Sequence, residues 1–113
     1  MSTETTERHI DATEMHRTAA LMRERSKAAM QGRWFVADAG YGNVRAPIAH
    51  DEDGAAVADT LMDADATHIA SWPPLVTEPV ADLLDTIARD VGTSSLAYHA
   101  AAAVVRAYLG ESA

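Results

Sequence analysis

The chain has 113 residues, no cysteine and a net charge of −8, which confines it to about one domain and excludes disulfide and thiolate chemistry. Much of its 48% hydrophobic content is alanine, beside one Phe, two Trp and three Tyr, so packing should be thin and stability modest unless a partner or a second copy covers surface. No apolar run approaches the roughly 20 residues that span a bilayer. The polar, acidic start Met1–Glu7 does not read as a signal peptide, so a cytoplasmic location without a membrane partner is expected.

Residues 1–10 carry no periodicity and read as a disordered tail, leaving 11–110 as a single α+β domain. Asp11 can cap a helix to about Ala29, with Met15, Ala19 and Met22 as its apolar stripe and Gly32 beyond its end. Arg33 to Asp38 alternates, placing Trp34 and Val36 on one face of a first strand. A glycine-rich turn around Gly40, Tyr41 and Gly42 leads to a returning strand through Val44, Ala46 and Ile48. Pro47 in that strand requires an edge or a bulge. Asp51-Glu52-Asp53-Gly54 is a turn signal, and Ala55 to Leu61 a third strand, which completes an antiparallel β-meander.

A short helix over Asp63–Ser71 follows, stopped by Pro73-Pro74, with Trp72 at its exit. Thr77 is expected to cap the next helix, in which Val80, Leu83, Leu84, Ile87 and Val91 form one apolar face. That face is expected to cover the sheet. Gly92 ends the helix, Thr93-Ser94-Ser95 offers a new cap, and Leu96 to Leu109 closes a C-terminal helical hairpin through Ala100, Ala103 and Ala107.

Charge is uneven along this order. Arg17, Arg23, Arg25, Lys27 and Arg33 oppose only Glu24 between Met15 and Arg33, whereas the acids from Asp38 to Asp90 oppose only Arg45 and Arg89. A basic helix on an acidic body suits a solvated surface or head-to-tail association, so a homo-oligomer is one expectation. The acidic body would repel a duplex, so direct nucleic-acid binding is not expected.

Gly32-Arg33-Trp34, the short strands with their Asp-Gly turn, and then Asp65-Ala66-x-His68-Ile69-Ala70 before a proline and a Leu-rich helix form a recognisable order. It resembles the Ead/Ea22-like small proteins of tailed bacteriophages and actinobacteria, over roughly Leu21 to Gly110. Val80-Ala81-Asp82-Leu83-Leu84 and Ala107-Tyr108-Leu109-Gly110 are similar to the actinobacterial or actinophage branch. Arg33 stands where the usual start has proline. The resemblance implies a phage-type accessory protein and supplies no catalytic residues.

The residue types that carry chemistry do not assemble at known spacings. Asp51, Glu52 and Asp53 miss the calcium-loop pattern, because Gly54 comes too early and position twelve is Met62. His9, His16, His50, His68 and His99 include no helical zinc pair, although His50 and His68 could meet. His68 otherwise reads as a partly buried helix residue bonded to a carboxylate or carbonyl. Ser94 and Ser95 lack a nucleophile elbow and read as caps, and Gly40-Tyr41-Gly42 lacks the lysine of a phosphate loop. Trp34 and Trp72 read as anchors of the sheet–helix interface, or as exposed hot spots.

A non-enzymatic protein acting on an unknown host or self protein is therefore expected, with no cofactor and no metal. Its contact candidates are Trp34, Tyr41, Asp51, Glu52, Asp53 and Trp72. One alternative is a nucleotide-type ligand binder using Arg45, His68 and Trp72. Another is an acidic DNA mimic that occupies a host DNA-binding protein, and a third is a hydrolase built on His50 and His68.

Overall fold

A helix N-terminus needs side-chain acceptors for its free N–H groups. In the computed structural model Asp11 supplies one: its Oδ1 accepts from the Glu14 N–H at 2.8 Å, and α1 runs Ala12–Ala28. The structure describes residues 8–37, 43–48, 51–59 and 63–111, with side chains described at these positions except 47, 48, 51–53, 59 and 63. The elements after α1 are β1 (Phe35–Val36), β2 (Asn43–Ile48), β3 (Asp51–Asp59), α2 (Asp63–Ala70), α3 (Pro74–Asp90) and α4 (Leu96–Tyr108). The class is α+β, with an N-terminal helix, a three-stranded antiparallel sheet of order β1-β2-β3, a short helix and two C-terminal helices.

The chain divides into two compact units. One holds the chain up to Leu21 together with everything from Val80 onward, and the other holds Met22–Pro79. One boundary falls at Pro79, inside α3, where the ring leaves no N–H for the Leu75 carbonyl.

The first unit is helical. Ile10 and Met15 occupy the positions of a hydrophobic staple around the Asp11 cap and are 1% and 0% exposed. Ile10, read from the sequence as part of a tail, is thus core. Thr18 and Ala19 of α1, Ala81 and Leu84 of α3, and Tyr98, Ala101, Ala102 and Val105 of α4 are also buried. The Tyr98 hydroxyl donates to the Ile10 carbonyl at 2.9 Å, and burial, with the Asp11 carboxylate adding to it, pushes the phenol pKa up so that it keeps its proton. Arg8 bridges Glu14 and Glu111 and, through its carbonyl, accepts from Arg106 at 3.0 Å. His16 Nδ1 lies 2.6 Å from Asp85 Oδ1. Ser95 caps α4, its Oγ accepting from Tyr98 N–H at 3.0 Å.

The expected interface of α4 is corrected by these positions: Ala100, Ala103 and Ala107 are exposed, and the turn that carries Ala101, Ala102 and Val105 is buried instead. Leu83, placed on the apolar face of α3 by its spacing, is 55% exposed, while Ala81 beside Leu84 is fully buried.

The second unit holds the sheet. β1 pairs with β2 as Phe35↔Arg45 and Val36↔Val44, and β2 with β3 from Asn43↔Asp59 to Ile48↔Asp51. Asp51-Glu52-Asp53-Gly54 is strand rather than turn, so β3 begins four residues earlier than Ala55. The register shifts between Ala46 and Ile48, which places Pro47 at a bulge of the central strand, where its missing N–H breaks no regular rung. Gly54 opposes this irregularity with φ +72°, and a Cβ on it would lie 2.5 Å from the Ala46 carbonyl oxygen.

The element over the sheet is α2, which contacts β1 and β2 and fully buries Ala66; Val44 and Ala46 of β2 are fully buried as well. Val80–Val91, the face expected to cover the sheet, belongs to the other unit. An eight-residue helix with small side chains suffices because the inward positions of β2 are themselves small.

Candidate functional site

The site grows from the way α2 ends. Ser71 N–H donates to His68 O at 3.1 Å and Trp72 N–H to Ile69 O at 3.0 Å, so the backbone finishes its last turn before Pro73. Pro73 and Pro74 are buried, and Pro74 opens α3, where a proline costs no hydrogen bond because a first-turn N–H has no partner. Val76 N–H and Thr77 N–H both turn back to Pro73 O, at 2.9 and 3.1 Å. The expected Thr77 cap is therefore corrected: the helix already begins at Pro74, and the Thr77 hydroxyl, inside its first turn, donates to Pro73 O at 3.3 Å.

This tight passage stands beside the start of β1 and leaves an open cleft of about 470 Å³. Trp34 and Val36 form one wall, and Ala70, Pro73, Leu75 and Val76 form the other. Arg33, Thr67 and Ser71 are its polar lining. Trp34 is half-buried, and its indole N–H is committed to the Met30 carbonyl at 2.8 Å, which fixes the ring. The Ser71 hydroxyl is committed to Thr67 O at 2.9 Å. Arg33 is exposed, and among the described residues no hydrogen bond or ion pair engages it. Leu75 at the rim is 62% exposed. Among the described residues the cleft thus offers a mainly apolar surface with the Arg33 guanidinium beside it.

Of the sequence candidates, Trp34 lines this cleft. Trp72 does not, although the residues on either side of it do; it is 49% exposed, which corrects its reading as a buried interface anchor. His68 is exposed on α2 rather than partly buried, because the small face of that helix, at Ala66, is the one turned to the sheet. Arg45 pairs in register with Phe35, so it faces away from Val36 and the cleft; its Nη1 donates to Gly54 O at 3.4 Å. None of Arg45, His68 and Trp72 lines this cleft.

Tyr41 and His50 lie outside the described residues, as do the side chains of Asp51, Glu52 and Asp53. Leu75 and Val76 were not singled out by the sequence, and Arg33 was noted for its charge and its place in Gly32-Arg33-Trp34 but not as a site residue; the Pro-Pro-Leu-Val step after a short helix is the signal that two apolar residues begin a new helix at a corner.

Among the described residues no group of three His, Asp or Glu side chains could hold a metal ion, and no helix is long and apolar enough to cross a membrane. No protein-family model, curated protein or solved structure matches the chain.

Proposed function

We propose that this chain is a non-catalytic accessory protein of phage type that works by holding another protein, and that the cleft between Trp34 and Leu75 is its point of contact. The observation that carries this reading is a mainly apolar cleft whose rim residue, Leu75, is 62% exposed beside a ring held rigid by its own hydrogen bond. Rigid aromatic anchors around an apolar depression are what protein interfaces place at their centres. Covering one exposed leucine is worth about 1.5–3 kcal/mol, so Leu75 alone could supply roughly tenfold or more in affinity. The resemblance to Ead/Ea22-like proteins supplies the expected setting, a host cytoplasm with a host or self partner.

The test is capture by the full chain against its Leu75→Asp variant, with a photo-reactive residue at position 75 as a third bait. The reading requires one protein to be captured by the wild type and cross-linked at 75, and to be lost on Leu75→Asp at unchanged melting temperature. Equal capture by both baits, with no cross-link at 75, removes this cleft from the account.

A second reading is a small ligand of nucleotide type, favoured by a volume within the range of ligand pockets and by Arg33 standing next to Trp34. A thermal-shift screen against nucleotides separates it, since a tight ligand raises the melting temperature and a peptide-binding cleft gives no shift.

A further inference from the structure

The cleft has a backbone component as well as a side-chain one. Ala37 N–H donates to Asn43 O at 2.8 Å, which makes 37 and 43 a hydrogen-bonded pair. Antiparallel alternation then makes Val36 and Val44 a non-hydrogen-bonded pair, so the N–H and C=O of Val36 turn away from β2. β1 is an edge strand, and that side pairs with no strand among the described residues. Among the described residues the cleft is lined by Val36 and by none from β2 or β3, which places it toward this edge. Arg33, three residues before Val36, adds an unengaged guanidinium at the same edge.

We propose that the β1 edge and its cleft bind an extended segment of another protein, which pairs with the backbone of Val36, seats one bulky apolar side chain between Trp34 and Leu75, and sets a neighbouring carboxylate on Arg33. This rests on the interaction reading above and gives its partner a chemistry. Strand addition to an exposed edge draws affinity from main-chain hydrogen bonds and specificity from alternate side-chain pockets, and both are present here. Charge selects the sign: among the described residues of the lining the charged group is Arg33, and a guanidinium prefers a carboxylate through paired N–H donors. A helical partner would leave the Val36 edge groups unused, and a base would find the Trp34 and Ser71 polar groups already committed.

The experiment is selection from a displayed library of random nonapeptides against the full chain and, in parallel, against Arg33→Glu. Arg33 is exposed, so the variant should keep its melting temperature, and Arg33→Gln serves as a milder second variant. Wild-type selections should join Leu, Phe or Trp to an Asp or Glu one or two residues away, and Arg33→Glu should select Lys or Arg there instead. The best wild-type peptide should lose at least about tenfold in affinity on Arg33→Glu and a comparable factor when alternate peptide nitrogens are N-methylated. Selections without acid preference, or binding unaffected by both N-methylation registers, overturn the inference. A failed library with intact cross-linking at position 75 overturns it while leaving the interaction reading standing. Protection of the cleft by a second copy of the chain, seen by light scattering, replaces the proposed occupant with a dimer.

Discussion

Gly54→Ala is the sharpest stability experiment on the sheet that carries the cleft. Gly54 has φ +72°, where an L side chain costs roughly 1–2 kcal/mol. The new Cβ would also lie 2.5 Å from Ala46 O and 3.2 Å from both Ala46 C and Phe35 Cζ. The ring could give way, but Ala46 is backbone of the central strand and moves only if the β2–β3 register moves with it. Crowding of this kind adds about 1–3 kcal/mol, for a total of about 2–5 kcal/mol. At ~4–8 °C per kcal/mol for a small domain, the melting temperature should fall by at least about 8 °C. Two other glycines separate the components. Gly110, at φ +81° with open space around it, should show only the backbone cost, and Gly92, with nothing within 4 Å, should shift by no more than ~0.5 kcal/mol. Thermal melts followed by circular dichroism measure all three. A Gly54→Ala melt within about 2 °C of wild type would refute the bulge and the register argued from it.

Leu84→Ala should cost about 2–5 kcal/mol in urea titration because Leu84 is 1% exposed, whereas Leu83→Ala should stay within ~0.5 kcal/mol. The reverse order would restore the face read from spacing alone. Tyr98→Phe strands the buried Ile10 carbonyl and should lower stability by about 1–2 kcal/mol in the same assay, with no change expected if that carbonyl is already hydrated. The hydrogen bond from Arg8 holds the Glu111 carboxyl below its ordinary pKa. A depressed folded pKa means that this pair stabilises the fold above the ordinary carboxylate range and that its contribution fades as pH falls through the folded value. Carbon-detected titration should therefore find Glu111 below the ordinary glutamate value in the wild type and back at that ordinary value in Arg8→Gln.

Local chemistry made much of this fold legible. Asp11 and Ser95 are caps because a short oxygen-bearing side chain before an apolar pattern has little else to do, and both accept the expected N–H. Pro47 had to be at an edge or a bulge, and it is at a bulge. What failed were inferences that needed tertiary context. The acids Asp51 to Asp53 looked like a turn, yet a strand at the side of a small sheet tolerates them, and the glycine after them serves a bulge rather than a reversal. The strong periodicity of α3 identified a helix face but not which of its members are covered, since Leu84 is 1% exposed and Leu83 55%, and alanine-rich α2, with Ala66 buried, packs on β1 and β2 without a strong pattern of its own. Alanine carries little pattern, so α4 was read on Ala100, Ala103 and Ala107 when the adjacent stripe was buried. At the site, the value of Trp34 was visible as a lone large ring. Its partners were not, because Leu75 and Val76 become a wall only once Pro74 starts a helix.

Hydrogen exchange on the full chain, free and bound to whatever protein the position-75 cross-linker captures, locates the contact residue by residue. Protection on binding should concentrate at residues 33–37 and 70–76, around Trp34, Val36 and Leu75. Protection confined to the helical unit, for instance around Leu96 at 88% exposure and Val104 at 42%, with none at Val36, would contradict it.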